Sequence, residues 1–212
     1  GALKSVTKLP FTAAAATTVE GDVFFETGQK KHGSFSDGLL GWFERCIWSG
    51  YAVVTHTGIV TSQSMFTATA LGTRTLPANF FKVGKALRIR IQGWYTTDAT
   101  PGTGTIVIKF GSTTYRTTGA FALDTSVTAG FWTMDFAIVC QSVGNPGTIN
   151  GACSWIHAET VGGSQPMHSE PFTTTAAVNL DTTSAQLFDV LWSASDAGTV
   201  LEVTTARIWE VA

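Results

Sequence analysis

The chain contains 212 residues, of which 44% are hydrophobic and only 13% charged, and its formal net charge is -2. A nearly neutral chain offers no basic surface for nucleic acid, and no apolar run approaches the length of a transmembrane helix, so neither nucleic acid nor membrane insertion is expected. The 22 glycines, the many threonines and the scarcity of long charged side chains favour an all-β protein.

Residues 1–54 are weakly patterned and are interpreted as an N-terminal arm or attachment segment, with one short strand at residues 23–25. Several aromatic residues lie in this irregular segment. So much apolar surface is hard to bury locally, and it predicts a contact with another chain. The alternative is that these side chains fold back onto their own domain. They are Phe24, Phe25, Trp42, Phe43 and Trp48.

Regular patterning begins at residue 55, and its clearest element is a strand over residues 86–95. Apolar and polar residues alternate strictly there, which is typical of a half-buried antiparallel strand. A slip of one residue would bury two arginines, so the register is firmly set. Gly93 is expected to end the strand or to introduce a bulge. The inward residues are Leu87, Ile89 and Ile91, and the outward residues are Arg88, Arg90 and Gln92.

Residues 55–212 are predicted to form one domain of eight or nine strands, with turn signals between them and no helix. In two of these strands the inward faces are clear, one with Ile106, Ile108 and Phe110, the other from Trp132 to Cys140. The series is typical of an all-β, jelly-roll-like antiparallel β-sandwich. The strands are expected at residues 58–70, 86–95, 105–110, 113–117, 131–141, 151–159, 172–180, 186–192 and 199–211.

The sequence contains no motif for nucleophilic, phosphate-binding or metalloprotease chemistry. A glycoside hydrolase needs two converging carboxylates, whereas the acidic residues of the domain are scattered and lie mostly near turns. No enzymatic activity and no cofactor are therefore expected. The three cysteines, an odd number without a Cys-x-x-Cys pair, predict buried free thiols at Cys46, Cys140 and Cys153.

Two histidines and two carboxylates form the only candidate for a metal site in the sequence. His157 and Glu159 lie two residues apart on a predicted strand and so share a face, and His168 and Glu170 repeat that spacing after a Gly-Gly break. These groups suit a divalent cation if the intervening loop folds back. The alternative is that all four are solvated polar residues.

The seven tryptophans raise a separate hypothesis, carbohydrate binding. Trp132, Trp155 and Trp192 lie within alternating strands and are predicted to be buried. Trp94, followed by Tyr95, borders a polar loop and is the better candidate for contact with a glycan. Aromatic side chains with one apolar face are frequent at binding surfaces.

Three segments of the domain resemble a family of structural proteins of bacteriophages and environmental viruses. They are LPANFFKVGKALRIR at residues 76–90, the strand pair around residues 104–119, and LDTTSAQLFDVLWSASDAGTVL at residues 180–201. Members carry a Pro-Ala-Asn, then a Val-Gly and an alternating strand, later an Asp-Thr-Thr, and then a Trp and a Ser-Ala-rich turn. The resemblance covers roughly residues 55–212.

This resemblance implies a virion component with a jelly-roll-like domain that acts through assembly, without catalytic residues. It implies a homo-oligomer, expected to be a trimer, at the surface of the particle, with capsid or tail proteins as partners. The roles it suggests are capsid decoration, head fibre, tail fibre or spike. The alternative is a carbohydrate-binding module, or a receptor-binding tip that contacts glycans on a host.

Overall fold

The computed structural model describes residues 23–26, 31–34, 44–158, 167–172 and 176–211. These residues form strands and connections without any helix, so the described part of the chain has no helix long and apolar enough to span a membrane. The chain divides into two compact units, Gly1–Trp42 and Phe43–Ala212. The described residues of the first unit form one antiparallel pair, β1 (Val23–Glu26) with β2 (Lys31–Ser34).

The second unit consists of two antiparallel sheets that form a sandwich-like arrangement. The smaller, six-stranded sheet contains β5 (Val60–Ser64), β7 (Thr75–Leu76), β9 (Thr103–Phe110), β10 (Thr113–Thr117), β11 (Phe121–Ala122) and β17 (Gln186–Ala194). The larger, ten-stranded sheet contains β3 (Glu44–Gly50), β4 (Val54–Thr57), β6 (Ala70–Gly72), β8 (Ala86–Thr96), β12 (Gly130–Ser142), β13 (Gly147–Asn150), β14 (Ser154–Ala158), β15 (Met167–Pro171), β16 (Val178–Leu180) and β18 (Val200–Val211).

The strand order of the larger sheet is β15-β14-β12-β8-β18-β3-β6, and that of the smaller sheet is β10-β9-β17-β5. In the larger sheet β4 pairs with β18, β13 pairs with β12 and with β16, and in the smaller sheet β11 pairs with β9 and β7 with β17. Strands β12, β8 and β18 therefore form the centre of the larger sheet, with β6 and β15 at its two edges.

The core lies between the inward faces of these sheets, as the alternating pattern predicts. In β8, Leu87, Ile89 and Ile91 are fully buried while Arg90 is exposed. The predicted inward residues of β9 and β12 are buried as well, and so are the three tryptophans assigned to the core. These residues are Ile106, Ile108, Phe110, Trp132, Met134, Phe136, Ile138, Cys140, Trp155 and Trp192.

Gly93 neither ends β8 nor carries the bulge. It pairs with Val203 of β18, and the register shifts on the partner strand, where Thr204 is the extra residue between Val203 and Thr205. A Cβ at Gly93 would collide with the carbonyl oxygen of Glu202. The glycine is therefore needed because two backbones approach closely, which is the other common reason for glycine within a strand.

The all-β prediction is confirmed, but the strands are more numerous than expected, because many additional strands are short. Residues 58–70 hold all of β5 and only the first residue of β6, and these two strands belong to different sheets. Short strands of two to five residues such as β7, β11 and β13 carry too little alternation to be recognised in sequence. The described residues contain eighteen strands in total.

The division between the two units falls at residues 42 and 43, not at residues 54 and 55 as expected. Strands β3 and β4 both pair with β18 in the larger sheet. Trp48 of β3 is only 3% exposed and packs edge-on against Phe66, with 4.9 Å between ring centroids. Residues 44–54 are thus part of the sandwich, because β3 covers one side of β18 and contributes to the core.

All three cysteines are free thiols, as expected, but only one is fully buried. Cys140 is buried, Cys153 is partly buried, and Cys46 is exposed. Burial raises the pKa of Cys153 to about 12, against a smaller lowering by the charge of Arg116. Such a thiol stays protonated at neutral pH and is a poor nucleophile.

Candidate functional site

Three side chains with metal-binding groups converge at the β15 edge of the larger sheet. They are Asp124, in the connection between β11 and β12, His157 on β14, and His168 on β15. Each offers one ligand atom, and these atoms all lie within 4.8 Å of one another. We call these three residues the histidine cluster.

Backbone pairing places the two histidines of the cluster. Strands β14 and β15 are antiparallel, and His157 lies directly opposite His168 in their register. Side chains of directly opposed residues on one face are neighbours, and the two imidazole centroids are 5.6 Å apart. The pairing of β14 with β15 thus brings the histidines together, and the Gly-Gly break predicted between them lies outside the described residues.

The third member of the cluster is positioned by hydrogen bonds between its loop and the end of β8. The Thr97 amide donates to the Val127 carbonyl at 2.9 Å, and the Val127 amide donates to Thr97 Oγ1 at 3.0 Å. The Thr97 hydroxyl also donates to the Asp124 carbonyl oxygen at 2.5 Å. These bonds hold the loop in place, so the carboxylate of Asp124 is directed at the histidines by the fold.

The carboxylate of Asp124 lies between the two imidazole rings. Its Oδ2 is 3.0 Å from Nδ1 of His157, and its Oδ1 is 3.6 Å from Nδ1 of His168. His157 is almost completely buried, Asp124 is partly buried, and His168 is 50% exposed. The cluster therefore runs from the interior of the sandwich out to solvent.

The hydroxyl of Tyr95 completes the inner side of the cluster. Its oxygen is 2.7 Å from the Ala158 carbonyl, 3.0 Å from Asp124 Oδ2 and 3.1 Å from His157 Nδ1. One phenol hydrogen serves one acceptor well, so we assign it to Ala158 and assign a proton to His157 Nδ1 that is donated to Asp124. This leaves His157 Nε2 buried without a hydrogen-bond partner among the described residues.

Burial keeps His157 neutral. Loss of solvent lowers its pKa below 6.5, against the raising effect of the Asp124 carboxylate, and His168 adds a smaller lowering. The ring also stacks on Trp155, with 4.2 Å between centroids and 19° between planes. A neutral imidazole in a fixed orientation is the form that binds a metal cation.

The structure thus brings together two of the four residues predicted to bind metal. Glu170 lies opposite Trp155 and is not one of the cluster's donors, and Glu159 lies outside the described residues. Asp124 and Tyr95 were not recognised as partners of the histidines. No periodic signal links them to His157 or His168, because the contact arises from a loop that folds over the end of β8.

Of the two residues predicted to contact a glycan, Trp94 is exposed and Tyr95 is buried. Trp94 is exposed and packs edge-on against Phe131, with 5.7 Å between ring centroids. It lines an open depression of about 350 Å³ that also includes Thr96, Ala129 and Glu202. Tyr95, in contrast, is buried beside His157, so the assignment of Tyr95 to a glycan contact is corrected.

The prediction that Trp48 contacts another chain is wrong, because Trp48 belongs to the core of its own sandwich. Phe24 and Phe25 lie in β1, but their side chains are outside the description, as are Trp42 and Phe43. A different apolar surface is present at the β6 edge, where Leu71 is 70% exposed and Tyr51 is also exposed. The Tyr51 amide donates to the Thr69 carbonyl at 3.3 Å, which places Tyr51 beside the start of β6. We call Tyr51 and Leu71 the apolar edge.

Most acidic side chains of the domain have structural partners. Asp135 pairs with Arg88 and Arg90 on the outer face of the larger sheet, and Asp189 pairs with Arg74 at 2.8 Å. Asp181 accepts hydrogen bonds from Thr183 and Ser184, and Asp196 accepts one from the Gly198 amide. These carboxylates stabilise turns and strands at separate places.

Comparison with known proteins adds no assignment: no protein-family model matches the chain, and no curated protein matches it.

Proposed function

We propose that this chain is a non-catalytic structural protein of a virus particle, which acts at the particle surface by assembling with copies of itself and with capsid or tail proteins. The proposal includes a jelly-roll form of the sandwich and a homo-oligomer, with a trimer expected. Capsid decoration, head fibre, tail fibre and spike are the roles that the sequence resemblance suggests. The acidic side chains engaged in structural pairs favour a role without catalysis.

The observation that supports assembly best is the apolar edge. Strand β6 pairs only with β3 among the described residues, so no described strand covers its second side. An exposed edge strand with apolar side chains is a template for pairing with another chain. Monomeric proteins usually place charged residues or proline at such an edge, whereas here Leu71 lies in the strand itself.

A second copy of this chain is the occupant we propose for the apolar edge. With 13% charged residues and a net charge of -2, copies of the chain repel one another only weakly. A closed ring of copies would cover the edge in every protomer, which is how symmetric oligomers remove open surfaces.

Light scattering coupled to size-exclusion chromatography tests this proposal. At micromolar concentration, the molar mass measured by light scattering for the intact chain should be three times the 22.5 kDa of a single chain. Combined Tyr51→Lys and Leu71→Lys substitutions should shift it to monomer without loss of folding. Val83→Lys is the matched control, since Val83 is 67% exposed, close to the 70% of Leu71, and the next residue, Gly84, bonds to Cys140 of β12, which is three strands away from β3 and nearer the opposite edge. A monomeric intact chain would overturn the proposal.

Carbohydrate binding is the second candidate, and one observation favours it. Trp94 is 44% exposed on the outer face of the sheet, supported by Phe131 and next to the Glu202 carboxylate. An indole face packs against the C–H face of a sugar ring, and a neighbouring carboxylate accepts hydrogen bonds from sugar hydroxyls. The same chain would then be a receptor-binding tip that contacts glycans on a host cell.

Glycan-array screening followed by calorimetry distinguishes this candidate. Trp94→Ala should abolish binding of any oligosaccharide found, while Leu187→Ala, at a closely matched exposure of 43%, should leave it unchanged. Equal binding by the two variants, or no oligosaccharide bound by the intact chain, would contradict the candidate.

A further inference from the structure

We propose that the histidine cluster binds one first-row divalent cation of the zinc type, held by Asp124, His157 and His168, which ties the edge strand β15 to β14 and to the loop before β12.

The donor set selects the class of cation. Two imidazole nitrogens and one carboxylate oxygen are ligands that zinc and its neighbours in the first transition row prefer, whereas calcium and magnesium require mainly oxygen ligands. Three protein ligands leave one position of a tetrahedral site for water. Since His168 is 50% exposed, that position has access to solvent.

The distances suit such an ion. Zinc–ligand bonds of about 2.0–2.1 Å in a tetrahedron place neighbouring donor atoms about 3.3 Å apart. The separations from the Asp124 carboxylate to the histidine Nδ1 atoms, 3.0 Å from Oδ2 to His157 and 3.6 Å from Oδ1 to His168, are close to this value but involve different oxygens, so the ligands must adjust to share one cation. Since all three donor atoms lie within 4.8 Å of one another, a small rotation of the exposed His168 ring completes the site.

The groups around the ligands prepare them for a cation. The stack on Trp155 fixes the plane of the His157 ring, and the hydrogen bond from the Thr97 hydroxyl to the Asp124 carbonyl holds the loop that carries the carboxylate. Binding at Nδ1 moves the His157 proton to Nε2. The bonds from the cation to Nδ1 and to Asp124 then replace the hydrogen bond between these two groups, and the Nε2 hydrogen has no partner among the described residues.

A cation would also have a structural effect at this place. Strand β15 is an edge strand, and four of its five residues are exposed, so it buries little apolar surface of its own. A cation held by His168 and by two more buried ligands would link this strand to the interior. Metal binding of this kind contributes directly to folding stability.

Zinc binding to the full-length chain, prepared without a histidine tag, tests the proposal. Titration calorimetry should show one Zn²⁺ per chain, and Zn²⁺ should raise the melting temperature. The Co²⁺ form should show the intense visible absorption of a tetrahedral site. His168→Ala, a change at an exposed position, should lower the zinc affinity on the order of tenfold or more.

Two variants of the same strand serve as controls. Met167→Ala, at the same 50% exposure as His168, should bind Zn²⁺ like the original chain, and so should Glu170→Gln. Asp124→Asn should lose affinity in parallel with His168→Ala. Absence of saturable binding, or unchanged binding by His168→Ala, would overturn the proposal. So would a loss in Glu170→Gln as large as that in His168→Ala.

Discussion

The two edges of the larger sheet present opposite chemistry. At one edge, Leu71 of β6 lies exposed beside Tyr51, and no strand in the described part of the chain pairs with the second side of β6. At the other edge, His168 of β15 faces the Asp124 carboxylate and lies opposite the buried His157. An edge strand needs protection from unwanted pairing. The β15 edge has a polar cluster linked to the interior, whereas the β6 edge has a surface that another chain can cover.

This difference separates the two proposed activities in space. Association between copies belongs to the apolar edge, and cation binding belongs to the histidine cluster, with β12, β8, β18 and β3 lying between them. Substitutions at one edge should therefore leave the other activity unchanged. Residues far apart without shared partners usually behave additively.

The largest effect is expected from truncation next to the β6 edge. Removal of residues 1–54 deletes β3, the only described partner of β6, and with it the buried Trp48. Loss of a buried tryptophan alone costs about 3–5 kcal/mol, a large part of the roughly 5–15 kcal/mol that stabilises a domain. The shortened chain should fail to unfold cooperatively by circular dichroism.

Removal of residues 1–42 is the matched control, since it keeps β3 and the whole second unit. This chain should retain a cooperative thermal transition. If the chain lacking residues 1–54 melts like the one lacking residues 1–42, β3 contributes little to the sandwich.

The next largest effect on stability is expected from β8, at the centre of the larger sheet, which serves as a reference for both edges. Ile89→Ala should lower the free energy of unfolding by about 2–5 kcal/mol, because Ile89 is fully buried and its loss leaves a cavity. Arg90→Ala should cost less than about 1 kcal/mol, because its ion pair with Asp135 is exposed to solvent. Urea denaturation measures both, and equal losses would contradict the assignment of the two faces of β8.

The smallest effect is expected in the pH dependence of stability, and it concerns the buried residue His56. His56 of β4 lies on the β6 side of the sheet, and burial lowers its pKa below 6.5, against a smaller raising effect of a hydrogen bond to the Ser64 backbone. The unfolded chain therefore takes up a proton at pH values where the folded chain does not. This contribution to stability is present above about pH 6.5 and is lost as the pH falls through the lower folded pKa.

His56→Leu should reduce this acid sensitivity, measured as the difference in urea midpoint between about pH 7 and pH 5. Chelator in both buffers keeps cations away from the histidine cluster, so that only protonation is compared. A variant that loses as much stability on acidification as the original chain would show that His56 is not responsible.

Local alternation was sufficient to predict the central strands. The faces of β8, β9 and β12 were assigned correctly because one-residue alternation is a property of the strand itself. Pairing between distant segments has no such local signal. The strand predicted at residues 58–70 is divided between two sheets, and β3 joins the sandwich although its own sequence is irregular.

The candidate site, too, was predictable only in the part that depends on local sequence spacing. The paired spacing of His157 and His168 in the sequence pointed to a cluster, and β14 and β15 place these two residues opposite each other. Asp124 enters only because hydrogen bonds to Thr97 hold its loop over the end of β8. Tyr95 was assigned to a glycan contact because it follows Trp94 beside a polar loop, but it lies on the same face of β8 as Leu87, Ile89 and Ile91 and is buried.

By itself the sequence determined the all-β class, the inward and outward faces of the long strands, and the absence of strong charge. These follow from composition and from a period of two residues, which each segment expresses alone. The tertiary structure alone decided which sheet a short strand joins, that Trp48 lies in the core, and which carboxylate meets the histidines. Those outcomes depend on contacts between segments distant in sequence, whose energies are set by burial and hydrogen bonding once the chain has folded.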